Sequence, residues 1–248
     1  MSLYRIRKKS PLIHCITNSV VTNFTANGLL AIGASPVMSD EPLDVEDMVS
    51  IANGLLINIG TLNKHSVEAM FLAGKKANGL DIPVVLDPVG AGATKYRKEV
   101  TDNLLKEIRF QLIRCNAGEL AAIAGVEWQA KGVDSGEGEM DILQVAMEVA
   151  KGYQTIVAVS GKDDIVTDGN THYIVSGGHE LMTQVTGTGC LLSAICAAAF
   201  SLEGNPLENV RDVLADYKKV AERASKEKNL GSFQVEVLNA LHQISRGE

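Results

Sequence analysis

Short apolar runs alternate repeatedly with longer segments of helical periodicity along this chain. The first of these apolar runs, residues 54–60, is followed by apolar residues from Val67 to Gly74 at spacings of three and four, as on one face of a helix. The strand-like runs are residues 54–60, 83–87, 111–115 and 155–159. Such alternation predicts parallel strands with helices packed on both faces of the sheet.

The pattern changes near residue 164. Two short apolar runs, 165–167 and 172–175, flank the turn sequence Asp168-Gly-Asn and predict an antiparallel β-hairpin. Helical segments near 117–124, 141–151, 190–202, 207–226 and 233–244 complete the pattern. Because no Pro/Gly/Ser-rich linker divides the chain, we predict one α/β domain over residues 1–248. Its doubly wound, mainly parallel sheet should carry the hairpin at one edge.

Charge and composition exclude several classes of protein. The formal net charge is -7 with a pI near 5.3, which disfavours a nucleic-acid partner. The four cysteines show neither CxxC pairing nor the density of a disulfide scaffold. The longest uncharged stretch, residues 10–39, is interrupted by proline, glycine and asparagine, so it does not predict a membrane span. We therefore expect a cytoplasmic protein without a membrane partner.

In a doubly wound sheet, ligands bind outside the carboxyl ends of the strands. The residues that follow the predicted strands are unusually rich in polar side chains and glycine. They are Asn58, Gly60, Asp87, Pro88, residues 116–119, Ser160, Gly161 and residues 187–189.

Gly187-Thr188-Gly189 leads directly into an apolar helix. Glycines at such a turn let consecutive backbone N–H groups point at one phosphate or developing anion. The alternative is a glycine turn that only caps the helix. Cys190 falls in the first turn, where the helix dipole favours a thiolate that takes a proton from a substrate hydroxyl. The alternative for Cys190 is a small buried side chain.

Two carboxylates, Asp87 and Glu119, each follow a predicted strand. Carboxylates at neighbouring strand ends can share a magnesium ion that bridges nucleotide phosphates, although either could instead be a helix-start charge. Arg114 could contact phosphate oxygens through its guanidinium group, or form a surface ion pair. The chain has no GxxxxGK[ST] motif, and the run from Gly90 has lysine where GxGxxG requires its third glycine.

The uncharged N-terminal block carries amides, hydroxyls and a thioether, which suit a small, neutral, partly apolar ligand. A packed N-terminal segment would have a similar composition. The residues concerned are Asn18, Thr22, Asn23, Asn27 and Met38.

Residues 14–38 closely resemble the N-terminal signature of bacterial hydroxyethylthiazole kinases. Further motifs of that family follow in order at residues 56–62, 86–93, 113–119 and 185–192. The resemblance implies a three-layer, ribokinase-like fold without a separate lid. It also implies a homotrimer with active sites between subunits.

The activity implied by the resemblance is transfer of the ATP γ-phosphate to the alcohol of 4-methyl-5-(2-hydroxyethyl)thiazole, with Mg²⁺, in thiamine salvage. Thr188 departs from the family pattern, because many members have alanine there. On the matching positions the implied roles are thiazole binding by Asn18, Val20, Met38 and Gly187; nucleotide binding by Arg114 and Ser160; Mg²⁺ binding by Asp87 and Glu119; phosphoryl-group binding by the amides of residues 187–189; and contact with the substrate hydroxyl by Cys190.

Two other functions stay open at this point. One is a kinase of the same fold for another vitamin precursor, such as the pyrimidine half of thiamine or pyridoxal. The other is a sensor that binds thiazole or nucleotide without catalysis. The Asn18–Met38 block and Cys190 argue against the first. The joint presence of Asp87, Glu119 and the glycine turn argues against the second.

Overall fold

The computed structural model describes residues 1–126, 140–226 and 229–248 of the 248-residue chain. Eight strands form a sheet in the order β2-β1-β3-β4-β5-β6-β7-β8. The pairs among β1 to β6 are parallel, whereas β6–β7 and β7–β8 are antiparallel. The bounds are β1 Leu12–Ile16, β2 Ser35–Val37, β3 Gly54–Asn58, β4 Val84–Asp87, β5 Leu112–Asn116, β6 Ile156–Ser160, β7 Asp164–Thr167 and β8 His172–Val175.

Helices cover both faces of the sheet, so the three-layer architecture is as predicted. One layer contains α1, α2, α8, α9 and α10, and the other contains α3 to α7. The bounds are α1 Ser2–Lys9, α2 Thr22–Ala31, α3 Val45–Ser50, α4 Lys64–Gly79, α5 Lys95–Glu107, α6 Ala117–Ala124, α7 Ile142–Tyr153, α8 Thr188–Ala199, α9 Pro206–Ala224 and α10 Leu230–Arg246.

The central strands are mainly apolar, except near their carboxyl ends, because each of their faces is covered by a helical layer. Side chains alternate between the two cores: Leu56 and Val85 face the α8 side, whereas Leu55 and Val84 face the α4 side. The hairpin of β7 and β8 forms the sheet edge, as the sequence predicts, and Gly169 in its turn has a φ of +90°. No helix within the described ranges is long and apolar enough to span a membrane.

Helix α8 is buried along nearly its whole length and packs on β1, β3 and β4. Small residues make this close approach possible, since a Cβ on Gly54 would lie 3.0 Å from the carbonyl oxygen of Ala197. The helix begins at Thr188, two residues earlier than predicted, and the preceding glycine turn therefore faces the carboxyl ends of the central strands. The elements α1, β1, α2, β2 and α3 lie in the part of the chain that the apolar pattern left unassigned.

Candidate active site

A row of hydrogen bonds joins three strand ends to the start of α8. Asn18, which follows β1, donates through Nδ2 to Oδ1 of Asn58 at 3.0 Å and to Sγ of Cys190 at 3.4 Å. Asn58, the last residue of β3, donates through Nδ2 to Oδ2 of Asp87 at 2.7 Å. The fold thus brings together Asn18, a predicted thiazole-binding residue, with Asp87, a predicted metal ligand, and Cys190, the predicted contact of the substrate hydroxyl.

Asp87 ends β4 and is fully buried. Burial raises the pKa of its carboxyl group, and the nearby charge of Arg114 opposes that shift. Its Oδ1 is buried and no donor reaches it at hydrogen-bond distance. The hydroxyl of Ser193 donates to the carbonyl of Gly189 at 3.3 Å, yet this hydroxyl and the thiol of Cys190 are close enough to Asp87 to oppose the rise in its pKa. A buried carboxylate oxygen that lacks a partner is costly unless a ligand occupies it.

Glu119 lies in the first turn of α6 and closes a capping box with Asn116. Its Oε2 accepts from the backbone N–H of Asn116 at 2.9 Å, and Oε1 accepts from that of Gly90 at 3.0 Å. Burial and the charge of Asp87 raise the pKa of its carboxyl group. The helix-start role that the sequence left open is therefore present, and each oxygen keeps a second lone pair for a further ligand.

The carboxylates of Asp87 and Glu119 are ligands of the type that hard cations such as Mg²⁺ prefer. Within residues 1–126, 140–226 and 229–248, no cluster of three or more His, Cys, Asp or Glu side chains could hold a metal. Magnesium is usually held by one or two carboxylates together with substrate phosphates and water. The unpartnered Oδ1 of Asp87 and the nearby Glu119 fit that donor set.

Arg114 lies close to Asp87 and Glu119. It does not form the surface ion pair that the sequence left open as an alternative role. Its Nη2 donates to Oγ of Ser160, and its buried Nε has no partner. Burial lowers the pKa of the guanidinium, but Asp87 and Glu119 outweigh that effect, so its pKa lies above the ordinary value. A Cβ on Gly189 would lie 2.7 Å from Nη1, so a larger residue there would displace the guanidinium of Arg114 from its present position.

The glycine turn requires glycine at Gly187 for two reasons. Its φ of +91° lies in the left-handed region, and a Cβ there would lie 2.6 Å from Cγ1 of Val21. Thr188 is buried and does not project into the turn. Its Oγ1 donates to the carbonyl of Met182 at 2.8 Å, while Tyr217 donates to its backbone carbonyl at 2.8 Å. The extra bulk of threonine over alanine therefore packs against the preceding 3₁₀ turn, Glu180–Gln184.

The sequence left open whether Cys190 is a thiolate at a helix start or a small buried side chain, and in this structure burial opposes the thiolate. Burial, reinforced by the charge of Asp87, raises the pKa of the thiol to about 11, so the group is protonated near neutral pH. The helix start is present, but desolvation outweighs the effects that lower this pKa, which come from Asn58, Arg114 and Asn18. Cys190 is nevertheless partly exposed, whereas Cys15, Cys115 and Cys196 are buried.

Two further residues that the resemblance assigns to thiazole binding, Val20 and Met38, differ in exposure. Val20 exposes 67% of its surface, and Met38 packs half-buried against the α8-side core. The loop after Met38 is fixed by His14, whose pKa is lowered by burial and whose neutral ring donates through Nε2 to the carbonyl of Ser39 at 2.8 Å. Asn23 and Asn27 are exposed on α2 and bond to each other, so they do not join the cluster.

Sequence reasoning assigned no role to three residues that shape the site. Asn58 links Asn18 to Asp87, and Tyr217 holds the start of α8. Arg97 donates to the carbonyls of Ile59 and Gly60 at 2.7 Å each and to that of Val89 at 2.8 Å. These hydrogen bonds hold together the turns that follow β3 and β4. Only Asn58 carries a sequence signal, as the polar residue that ends an apolar run.

Comparison with known proteins agrees with this arrangement. Residues 3–247 match the model of the hydroxyethylthiazole kinase family. A hydroxyethylthiazole kinase of Lysinibacillus sphaericus is 58% identical over 247 residues, which cover 99% of this chain and 97% of that protein.

Solved structures show the same fold. The structure of a hydroxyethylthiazole kinase from Pyrococcus horikoshii has a TM-score of 0.89 at 40% identity, with 99% of this chain and 93% of that chain covered. A ribokinase-like superfamily protein from Enterococcus faecalis has a TM-score of 0.72 at 9% identity, covering 97% of this chain and 89% of that one. The latter likeness concerns the fold alone.

Proposed function

This chain belongs to the hydroxyethylthiazole kinase family and phosphorylates the alcohol of hydroxyethylthiazole in thiamine salvage; we propose that ATP with Mg²⁺ supplies the phosphoryl group at the cluster described above. The observation that carries this proposal is the unpartnered Oδ1 of Asp87, which lies in the same hydrogen-bonded row as Asn18 and Cys190.

Arg114 and Ser160 form the nucleotide side of the proposed site. The guanidinium is held by Ser160 and by the charges of Asp87 and Glu119, so it keeps its positive charge in a partly buried position. A cation of this kind is suited to phosphate oxygens, because its planar donors are already oriented.

Asp87 and Glu119 would hold Mg²⁺, which would neutralise negative charge on the phosphates. Asp87 offers Oδ1, while its Oδ2 is engaged by Asn58. Both carboxyl groups have raised pKa values, because burial disfavours their charged forms. A bound cation would relieve that cost.

The backbone amides of residues 187–189 would contact the transferred phosphoryl group at the start of α8. Transfer through a loose transition state depends mainly on positioning and charge neutralisation. Cys190, with a pKa of about 11, is then a neutral thiol beside the acceptor hydroxyl rather than a strong base. Its expected contribution is to position that hydroxyl through the contact that it shares with Asn18.

The alcohol would bind beside Asn18, Val20 and Met38, which present an amide, an aliphatic group and a thioether. These neutral groups match a neutral heteroaromatic alcohol. In a single chain Val20 exposes 67% of its surface, so an apolar subsite that includes it lacks a wall. We propose that a second copy of the chain supplies this wall in a homotrimer, with each site between two subunits.

The kinase assignment is tested by ADP formation from ATP and Mg²⁺ with hydroxyethylthiazole, hydroxymethylpyrimidine, pyridoxal or no acceptor. We expect turnover with the thiazole only. Turnover with another acceptor would move the substrate assignment within the fold. Thiazole binding without turnover would favour a sensor.

The oligomer proposal has its own measurement. Light scattering of the eluting protein should give three times the 26.5 kDa chain mass. Val20→Lys should reduce that mass and raise the KM for the thiazole together. A fully active monomer would refute the shared site.

A further inference from the structure

Asn58 is the central residue of the hydrogen-bonded row, between Asn18 and Asp87. It ends β3 and is the register partner of Asp87, which ends the neighbouring parallel strand β4. Its side chain is 1% exposed and uses both ends of its amide. Because parallel register places the two side chains next to each other, the contact between Asn58 and Asp87 is imposed by the sheet itself.

The orientation of the Asn58 amide is fixed by its partners. The backbone N–H of Gly60 lies 2.9 Å from one end and can only donate, so that end must be the oxygen Oδ1. Nδ2 of Asn18 donates to the same oxygen at 3.0 Å. The other end must therefore be Nδ2, which donates to Oδ2 of Asp87 at 2.7 Å.

This orientation gives the two oxygens of Asp87 different tasks. Oδ2 is engaged by Asn58, and only the buried Oδ1 lacks a partner. On the other side, Asn18 is held between Asn58 and Cys190. One buried amide thus contacts both a residue of the proposed alcohol subsite and a residue of the proposed metal subsite.

We propose that Asn58 is a positioning residue for phosphoryl transfer, which fixes Asn18 and Asp87 relative to each other through the two ends of its amide. The inference rests on the proposed function, because the tasks of Asn18 and Asp87 come from it. Asn58 touches neither substrate nor reacting atoms and acts only through these two neighbours.

The variant Asn58→Asp removes the contact at one end of the amide and keeps the contacts at the other. An aspartate at this position keeps an oxygen for Gly60 and Asn18 but loses the donor to Asp87. We expect its KM for the thiazole to stay within about threefold of the wild-type value, while kcat falls by about 10-fold to 100-fold, as for partners that orient metal-binding residues. Asn58→Ala loses both ends, so we expect its KM to rise and its kcat to fall.

Thermal unfolding of the metal-free protein gives a readout that does not depend on activity. Asn58→Asp sets two carboxylates against each other and should lower Tm. The reversed pair Asn58→Asp/Asp87→Asn restores an amide–carboxylate bond with donor and acceptor exchanged, so its Tm should exceed the value expected from adding the two single changes. Additive changes in Tm would overturn the proposed Asn58–Asp87 bond.

Asn209→Asp is the matched control. Asn209 is also a buried asparagine, 4% exposed, whose Nδ2 faces the carbonyls of Leu202 and Glu203 on the α9 side of the molecule. The Asn209→Asp variant should lower Tm without the fall in kcat at nearly constant KM that we expect of Asn58→Asp. If Asn58→Asp behaves like this control, the positioning role is wrong and Asn58 only supports the fold.

Failure of the proposed function gives a different result. If the wild-type protein does not turn over hydroxyethylthiazole, the assigned reaction is wrong, whatever the Tm values of the single and double variants are. Wild-type protein with that turnover, together with an Asn58→Asp variant of unchanged kcat, would remove only the role of Asn58.

Discussion

Tyr217 on α9 donates a hydrogen bond of 2.8 Å to the backbone carbonyl of Thr188, the first residue of α8. The tyrosine is buried, 5% exposed, and lies in the core between the two helices. The start of α8, and with it the glycine turn of the proposed phosphoryl site, is therefore fixed from outside the sheet.

Tyr217→Phe should lower stability by about 1 kcal/mol, the usual net contribution of one hydrogen bond. For a chain of this size that corresponds to a fall in Tm of about 2–4 °C. Thr188→Ala, which loses the bond from Oγ1 to Met182, should have a similar effect. Differential scanning calorimetry measures both. Tyr153→Phe, at an exposed position, is the control and should leave Tm unchanged.

Gly187→Ala should reduce turnover by at least about tenfold. A Cβ would lie 2.6 Å from Cγ1 of Val21, and the φ of +91° disfavours any other residue by about 1–2 kcal/mol. Relief of the contact must displace the turn whose amides we assign to the phosphoryl group. Steady-state kinetics with ATP and thiazole measure the loss.

Gly204→Ala is a control that introduces backbone strain without displacing the glycine turn. Gly204 has a φ of +104°, but nothing lies within 4 Å of a Cβ built there. We expect this variant to lose some stability and to keep wild-type KM and kcat. Equal kinetic losses in the two glycine variants would contradict a specific role for the turn.

Cys190 should alkylate slowly at neutral pH. The pKa of about 11 means that only about one thiol in a thousand is ionised at pH 8, and the thiolate is the reactive form. The rate with iodoacetamide should therefore rise about tenfold per pH unit between pH 7 and pH 10. A rate that levels off by about pH 10 would show a thiol of ordinary or lowered pKa.

Replacement of Cys190 should cost only part of the activity. A thiol that stays protonated at neutral pH does not supply the roughly 10²–10⁴-fold gain of a well-matched general base. We expect Cys190→Ala to reduce kcat by less than about 100-fold. A loss of about 10²–10⁴-fold in folded protein would instead match a general base at Cys190 and contradict this expectation.

Arg114→Lys should raise the KM for ATP by about tenfold or more, with little change in the KM for the thiazole. A lysine cannot reproduce the planar guanidinium that donates to Ser160 and packs against Gly189. The separate KM values measure this. Arg109→Lys is the control, because Arg109 makes an exposed ion pair with Asp81 at 2.8 Å and should affect neither KM.

Much of the fold was predictable because its signals are local. The apolar runs that became β3, β4, β5 and β6 differ from the predicted bounds by one or two residues, and α6 is Ala117–Ala124 as predicted. The N-terminal third was harder to predict. Strand β2 has only three residues and lies at the sheet edge, so it lacks the continuous apolar run of a central strand.

The layered α/β architecture, the edge hairpin and the strand ends where polar residues collect could all be predicted from local patterns, because periodicity and turn chemistry act over a few neighbouring residues. Which of those polar residues meet depends on long-range packing. Asn18 and Cys190 are 172 residues apart in the chain, yet their side chains are 3.4 Å apart. The same packing removes water from Cys190 and Asp87, and this desolvation, which no local pattern encodes, sets their raised pKa values.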